Sequence, residues 1–178
     1  MKLRIRKRCF SWSLVNENGQ TAAKISNQAF IGGAKKISDA QGNVIFTTGI
    51  VNVSKDSQGG NYADSKKYVI YQDAVPIVTA TLSFTKKRES EKQLPFMLKL
   101  PQVEKLDVET PGGLWIIQRK RNHSFIITCN DIQLGSITPF LSLKPAYFEC
   151  AETYEAVFWA GIYVLIEYMM HEDDLIVV

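Results

Sequence analysis

The chain has 178 residues, 46% of them hydrophobic and 22% charged, with 21 basic against 18 acidic side chains for a net charge of +3. That balance excludes a disordered chain, and the length lets one folded domain over residues 1–178 hide roughly 70% of its unfolded surface without staples or metals. Three scattered cysteines, Cys9, Cys129 and Cys150, exclude a disulfide framework and a zinc site and point to a reducing, cytoplasmic setting.

In chain order, Met1 to Arg8 is basic, but no apolar run follows it, so a signal peptide is not expected. Phe10, Trp12 and Leu14 alternate with Ser11, Ser13 and Val15, while Leu3 and Ile5 keep the opposite parity, which predicts a bulge or strand break near Lys7. Glycine-bearing turns at Asn16 to Gly19, Ile31 to Gly33 and Asp39 to Gly42 read as hairpins. Lys55 to Asp64 has no apolar pattern and reads as a loop. Val78, Ala80, Leu82 and Phe84 then alternate with Ile77, Thr79, Thr81 and Ser83, the clearest strand, which the charged Lys86 to Gln93 ends. Further strands are predicted at Phe96 to Leu100, Leu114 to Arg119, Ser124 to Thr128, Gln133 to Ile137 and Ala146 to Cys150. Pro95, Pro101, Pro111, Pro139 and Pro145 fall at their edges.

A helix is predicted from Tyr154 to Met170, followed by a last strand at Leu175 to Val178. The eleven residues Ala156 to Ile166 are apolar on every face, so this helix must be surrounded by protein. Phe158, Trp159, Ile162, Val164, Leu165 and Ile166 should be almost fully buried, with Gly161 letting a strand come close. Its length of about 25 Å falls short of a ~30 Å hydrocarbon core, so it is not read as a membrane span. Ten to twelve short strands and one such helix leave a narrow choice. The fold class is mainly β: an antiparallel barrel of about twelve strands, closed around a central C-terminal hydrophobic helix.

The basic first strand leading to Phe10-Ser11-Trp12, the paired Asn16 to Gly19 and Asp39 to Gly42 hairpins, and the late hydrophobic helix ending in acidic residues resemble the tubby carboxy-terminal-like barrels. Within them the chain is most similar to the single-domain LURP-one-related and YxjI-type proteins, with residues 52 to 66 poorly matched. The resemblance implies a twelve-stranded barrel threaded by the helix. It also implies membrane lipids as partners, since tubby proteins bind phosphoinositides through a basic pocket and phospholipid scramblases are relatives.

Basic clusters recur at predicted hairpin ends: Lys2 to Arg8, Lys35 and Lys36, Lys66 and Lys67, Lys86, Lys87 and Arg88, and Arg119, Lys120 and Arg121. Residues 1 to 36 hold eight basic and one acidic side chain, whereas residues 149 to 178 hold seven acids and no lysine or arginine. The candidate lipid-binding residues are Lys35, Lys36, Lys86, Lys87, Arg88, Arg119, Lys120 and Arg121, with an anionic membrane surface as partner. The competing reading is that lysines at hairpin ends keep strand edges soluble, in a protein-interaction or structural module without a lipid role. No nucleic-acid recognition motif accompanies the clusters, and a monomer peripheral to the membrane is expected. His123 and His171 belong to no nucleophile or metal signature, so the chain is read as non-enzymatic, without cofactor or metal. Cys129 and Cys150 lie in apolar strands and read as inert core thiols.

Overall fold

The computed structural model describes residues 1–8, 11–28, 33–52, 66–84, 103–120, 122–138 and 146–174. Among the described residues twelve strands precede one helix. They are β1 (Lys2–Arg8), β2 (Ser11–Val15), β3 (Thr21–Asn27), β4 (Lys35–Ser38), β5 (Val44–Asn52) and β6 (Lys66–Gln72), then β7 (Val75–Phe84), β8 (Val103–Thr110), β9 (Gly113–Arg119), β10 (Phe125–Cys129), β11 (Ile132–Ile137) and β12 (Tyr147–Cys150). Each pairs antiparallel with its neighbours in sequence, and β1 pairs with β12 through Lys2 and Glu149, Leu3 and Phe148, and Arg4 and Tyr147, closing the barrel.

The opposite parities in the first fifteen residues arise from a strand reversal. β1 runs unbroken through Lys7, and β2 is its antiparallel partner, with Ile5 opposite Leu14 and Lys7 opposite Trp12. Both parities therefore point inward. The predicted strands at residues 78–84, 114–119, 124–128, 133–137 and 146–150 all fall within or against β7 and β9 to β12. Those at 96–100 and 175–178, and the loop at 55–64, lie outside the described residues.

Helix α1 (Ala156–Asp174) starts two residues later and ends four residues later than predicted. It begins where the Glu155 carbonyl accepts hydrogen bonds from the Phe158 and Trp159 amides. Trp159, Ile162, Val164, Leu165 and Ile166 are buried as expected, together with Tyr163, Ala160 and Met169, so the helix is enclosed on all sides. Phe158 is the exception: it is half-buried, stacked on Tyr154 and edge-on to Phe46 and Trp115 near the barrel rim. At Gly161 an added Cβ would come 2.9 Å from the Ile70 Cδ1, so the helix and β6 approach as closely as they do because no side chain intervenes. Among the described residues no helix is long and apolar enough to cross a membrane.

Strand direction divides the barrel into two unlike ends. At one end β2 to β3, β4 to β5, β6 to β7, β8 to β9 and β10 to β11 are joined by turns of two to five residues. The other end takes the remaining connections, of up to eighteen residues, and receives the C-terminus of α1. These are called below the turn end and the loop end.

Candidate functional site

The inward residues of β1 and β4 remain apolar until the loop end, where the pattern turns polar. Lys7 continues the inward line of Leu3 and Ile5, and its Nζ donates to Glu167 Oε1 at 2.9 Å. Glu167 is only 5% exposed and also accepts from the Tyr163 hydroxyl one helical turn earlier, while His171 Nε2 lies 3.8 Å from its other oxygen. Burial, reinforced by the Glu167 charge and hydrogen bond, pushes the Tyr163 phenol well above its ordinary value, so it stays a donor.

Lys35 lines the same mouth, in the inward parity of Ile37, with Nζ 4.7 Å from the Trp12 ring centre and 2.6 Å from Asn27 Oδ1. Desolvation lowers its pKa, opposed by the attraction of Glu167. A chain of hydrogen bonds fixes this stretch: the Lys35 amide donates to Thr48 Oγ1, which bonds the Tyr168 hydroxyl at 2.7 Å, which donates to the Gly33 carbonyl.

Lys36 faces the other way. Its cross-strand row reads Arg8, Ser11, Ser26, Lys36, and the next row toward the turn end reads Arg6, Ser13, Lys24, Ser38. With Arg4 these make an outer wall over β1 to β4 of five cations and four serine hydroxyls. At ~4.8 Å between strands, the row from Arg8 to Lys36 spans about 14 Å. Among the described residues none of Arg4, Arg6, Arg8, Lys24 and Lys36 has an acid within ion-pair distance. A hollow of about 180 Å³ beside this wall is lined by Lys2, Arg4 and Arg6 against one acid, Glu17.

The other predicted basic residues are distributed differently. Arg119 and Lys120 sit at the loop end of β9, where the Arg119 guanidinium lies 2.9 Å from His123 Nδ1 and Lys120 Nζ donates to Gln118. β9 stands five strands from β4 in the ring of twelve, so the two clusters share an end of the barrel and lie on nearly opposite sides. Lys86, Lys87, Arg88 and Arg121 lie outside the described residues. The sequence reading placed Arg4, Arg6 and Arg8 in a basic cluster without counting them among the candidate lipid-binding residues, and it passed over Lys24. Their signal was present: the two-residue period of Arg4-Ile5-Arg6-Lys7-Arg8 puts three arginines on one face once Ile5 is assigned inward.

Among the described residues no group of three or more His, Cys, Asp or Glu side chains is placed to hold a metal ion. Burial pushes the Cys150 thiol up to about 12, which keeps it protonated and unreactive at neutral pH. Comparison of the chain with protein-family models, with curated proteins and with solved structures gave no match. The class of protein defined by the coordinates is thus a closed twelve-stranded antiparallel barrel around a central helix.

Proposed function

We propose that the protein is a non-catalytic binding module of tubby-like kind that lies against anionic membrane surfaces and takes up phosphorylated headgroups. The observation that carries this reading is the wall over β1 to β4: five cations without acidic partners among the described residues, interleaved with hydroxyl donors. Arginine forks and serine hydroxyls suit phosphate oxygens, and the hydroxyls add direction to what would otherwise be a diffuse charge. Lys35, Arg119 and Lys120 extend the reading to the loop end.

Each basic side chain at an anionic surface contributes about 1 kcal/mol. Replacing Arg4, Arg6, Arg8, Lys24 and Lys36 together by Ala should therefore remove about 5 kcal/mol if all five engage, a thousandfold or more in partitioning. The measurement is co-sedimentation with vesicles of anionic or neutral composition across a salt series. Binding should be confined to anionic vesicles and fade as salt shortens the Debye length from ~10 Å at 0.1 M to ~3 Å at 1 M. A wild-type chain that ignores anionic vesicles at low salt removes the lipid role. The protein-interaction reading then stands alone.

A further inference from the structure

The turn end carries a second surface that the lipid reading does not use. Four exposed hydrophobic side chains open alternate strands there: Val44 on β5 (53% exposed), Val75 on β7 (60%), Leu114 on β9 (53%) and Ile132 on β11 (68%). Single exposed aliphatics need no explanation, but four on successive hairpins form an arc around half of the rim. The arc is set among acids. The turns 16–20, 39–43, 73–74, 111–112 and 130–131 and the link 151–155 contain Glu17, Asp39, Asp73, Asp131, Glu152 and Glu155 and no lysine or arginine.

Beyond Ile132 the rim continues into a cleft of about 740 Å³ between β12, β1 and the 16–20 turn, whose walls include Glu17, Glu149 and Glu152. Lys2 holds Glu149 at 3.2 Å and the Met1 amine holds Glu152 at 3.4 Å. The Glu17 carboxylate, between Asn16 and Asn18, has no ion pair or hydrogen bond among the described residues.

We infer that the turn end docks a protein segment that presents lysine or arginine beside apolar side chains. Charge selects this occupant over the alternatives. An anionic membrane would meet six carboxylates, and a second copy arriving by the same end would set six against six, a like-charge juxtaposition that costs affinity. A basic, apolar-flanked segment answers both features: its aliphatic groups cover the arc, and its cations reach Asp73, Asp131 and the cleft at Glu17.

The test uses the full chain, amide-resolved NMR and three synthetic peptides of equal length, one of Lys and Leu, one of Lys and Ser, and one of Glu and Leu. The Lys/Leu peptide should shift the amides of Val44, Val75, Leu114, Ile132 and Glu17, and the Lys/Ser peptide should bind about tenfold more weakly, a loss of about 1.4 kcal/mol. The Glu/Leu peptide should shift none of them. Replacing the four aliphatics together by Ser should weaken the Lys/Leu peptide about tenfold and leave the urea midpoint in place, because these side chains are exposed. The combination Glu17→Gln, Asp73→Asn and Asp131→Asn should lessen the salt dependence, and an unchanged salt dependence would take these three carboxylates out of the surface. Absence of turn-end shifts, or equal affinity in the fourfold serine variant, overturns the proposal. Self-association in sedimentation velocity that the serine variant abolishes overturns it too, and gives the surface to a second copy.

Discussion

Trp159 and Phe158 are neighbours on α1, yet their burial separates them sharply. Trp159 is fully buried, ringed by Trp115, Phe148 and Tyr154 at centroid distances of 5.5, 5.2 and 5.9 Å, and its indole donates to the Ala151 carbonyl at 3.1 Å. Truncation to Ala deletes the largest side chain from a closed space, with a cost of roughly 3 to 5 kcal/mol from lost transfer and cavity alone. The lost aromatic pairs and the freed carbonyl each add about 1 kcal/mol, so Trp159→Ala belongs at the top of that range. That is a third or more of the 5 to 15 kcal/mol typical of a domain. Phe158 already has one side near solvent, and Phe158→Ala should cost only about 2 kcal/mol because the rim can relax or hydrate. Urea denaturation followed by far-ultraviolet circular dichroism gives both values on one scale. Equal losses, or a Trp159→Ala loss below about 2 kcal/mol, would contradict an enclosed helix.

At the loop end, Lys7→Met should destabilise by about 2 kcal/mol and Glu167→Gln by less, since the first strands a buried carboxylate and the second leaves a neutral acceptor for Tyr163; the reverse order in urea titrations would refute this account. Cys150 titrates at about 12 in the folded chain against an ordinary 9.0, and Tyr163 and Tyr168 are also raised, mainly by burial. Because these folded values exceed the unfolded ones, the stability they contribute is complete below pH 9 and drains away as pH climbs toward 12, and Cys150→Val should flatten part of that decline. Gly42 and Gly113 hold φ of 95° and 112°, so Ala at either should cost about 1 kcal/mol or more in the same titrations, and a neutral result would dissociate these turns from barrel stability.

The closed barrel and its helix were legible because an all-round apolar segment has few places to go and most strands announced themselves by alternation. The strands that escaped did so for local reasons. β6, Lys66–Gln72, and β7 are joined by Asp73-Ala74 with φ of 49° and 65°, a left-handed pair that ordinarily signals itself with Asn-Gly or Asp-Gly. Alanine there hides the hairpin. β8, Val103–Thr110, interleaves Lys105, Asp107 and Glu109 with buried Leu106 and Val108, and its charges outweigh a short apolar face. The candidate site was legible only in part: clusters of like charge are visible in one dimension, but which face each residue occupies depends on parity, and which clusters adjoin depends on ring order. Lys35 and Lys36, adjacent in sequence, face the interior and the exterior, whereas Lys24 and Ser13, eleven residues apart, are cross-strand partners.

Closure of the barrel also changes what its charges mean. Lysines on open sheets are readily explained as guards of exposed strand edges, but Arg4, Lys24 and Lys36 stand in rows paired on both sides and have no edge to guard, while Arg6 and Arg8 continue β1 beyond its ladder with β12. Solubility alone would accept either sign and is served by both signs interspersed. At the turn end the same reasoning removes only part of the acidity. Asp73 and Asp131 occupy left-handed turn positions, and Asp39 accepts from the Asn43 amide and side chain, so turn chemistry accounts for those three. Glu152 pairs with the Met1 amine and Glu155 stands at the positive start of α1, which leaves Glu17 and the four exposed aliphatics without such a duty. What turn geometry and edge protection leave unexplained is a one-signed wall on β1 to β4 and an apolar rim at the opposite end from the long connections, the two surfaces that the vesicle and peptide experiments test separately.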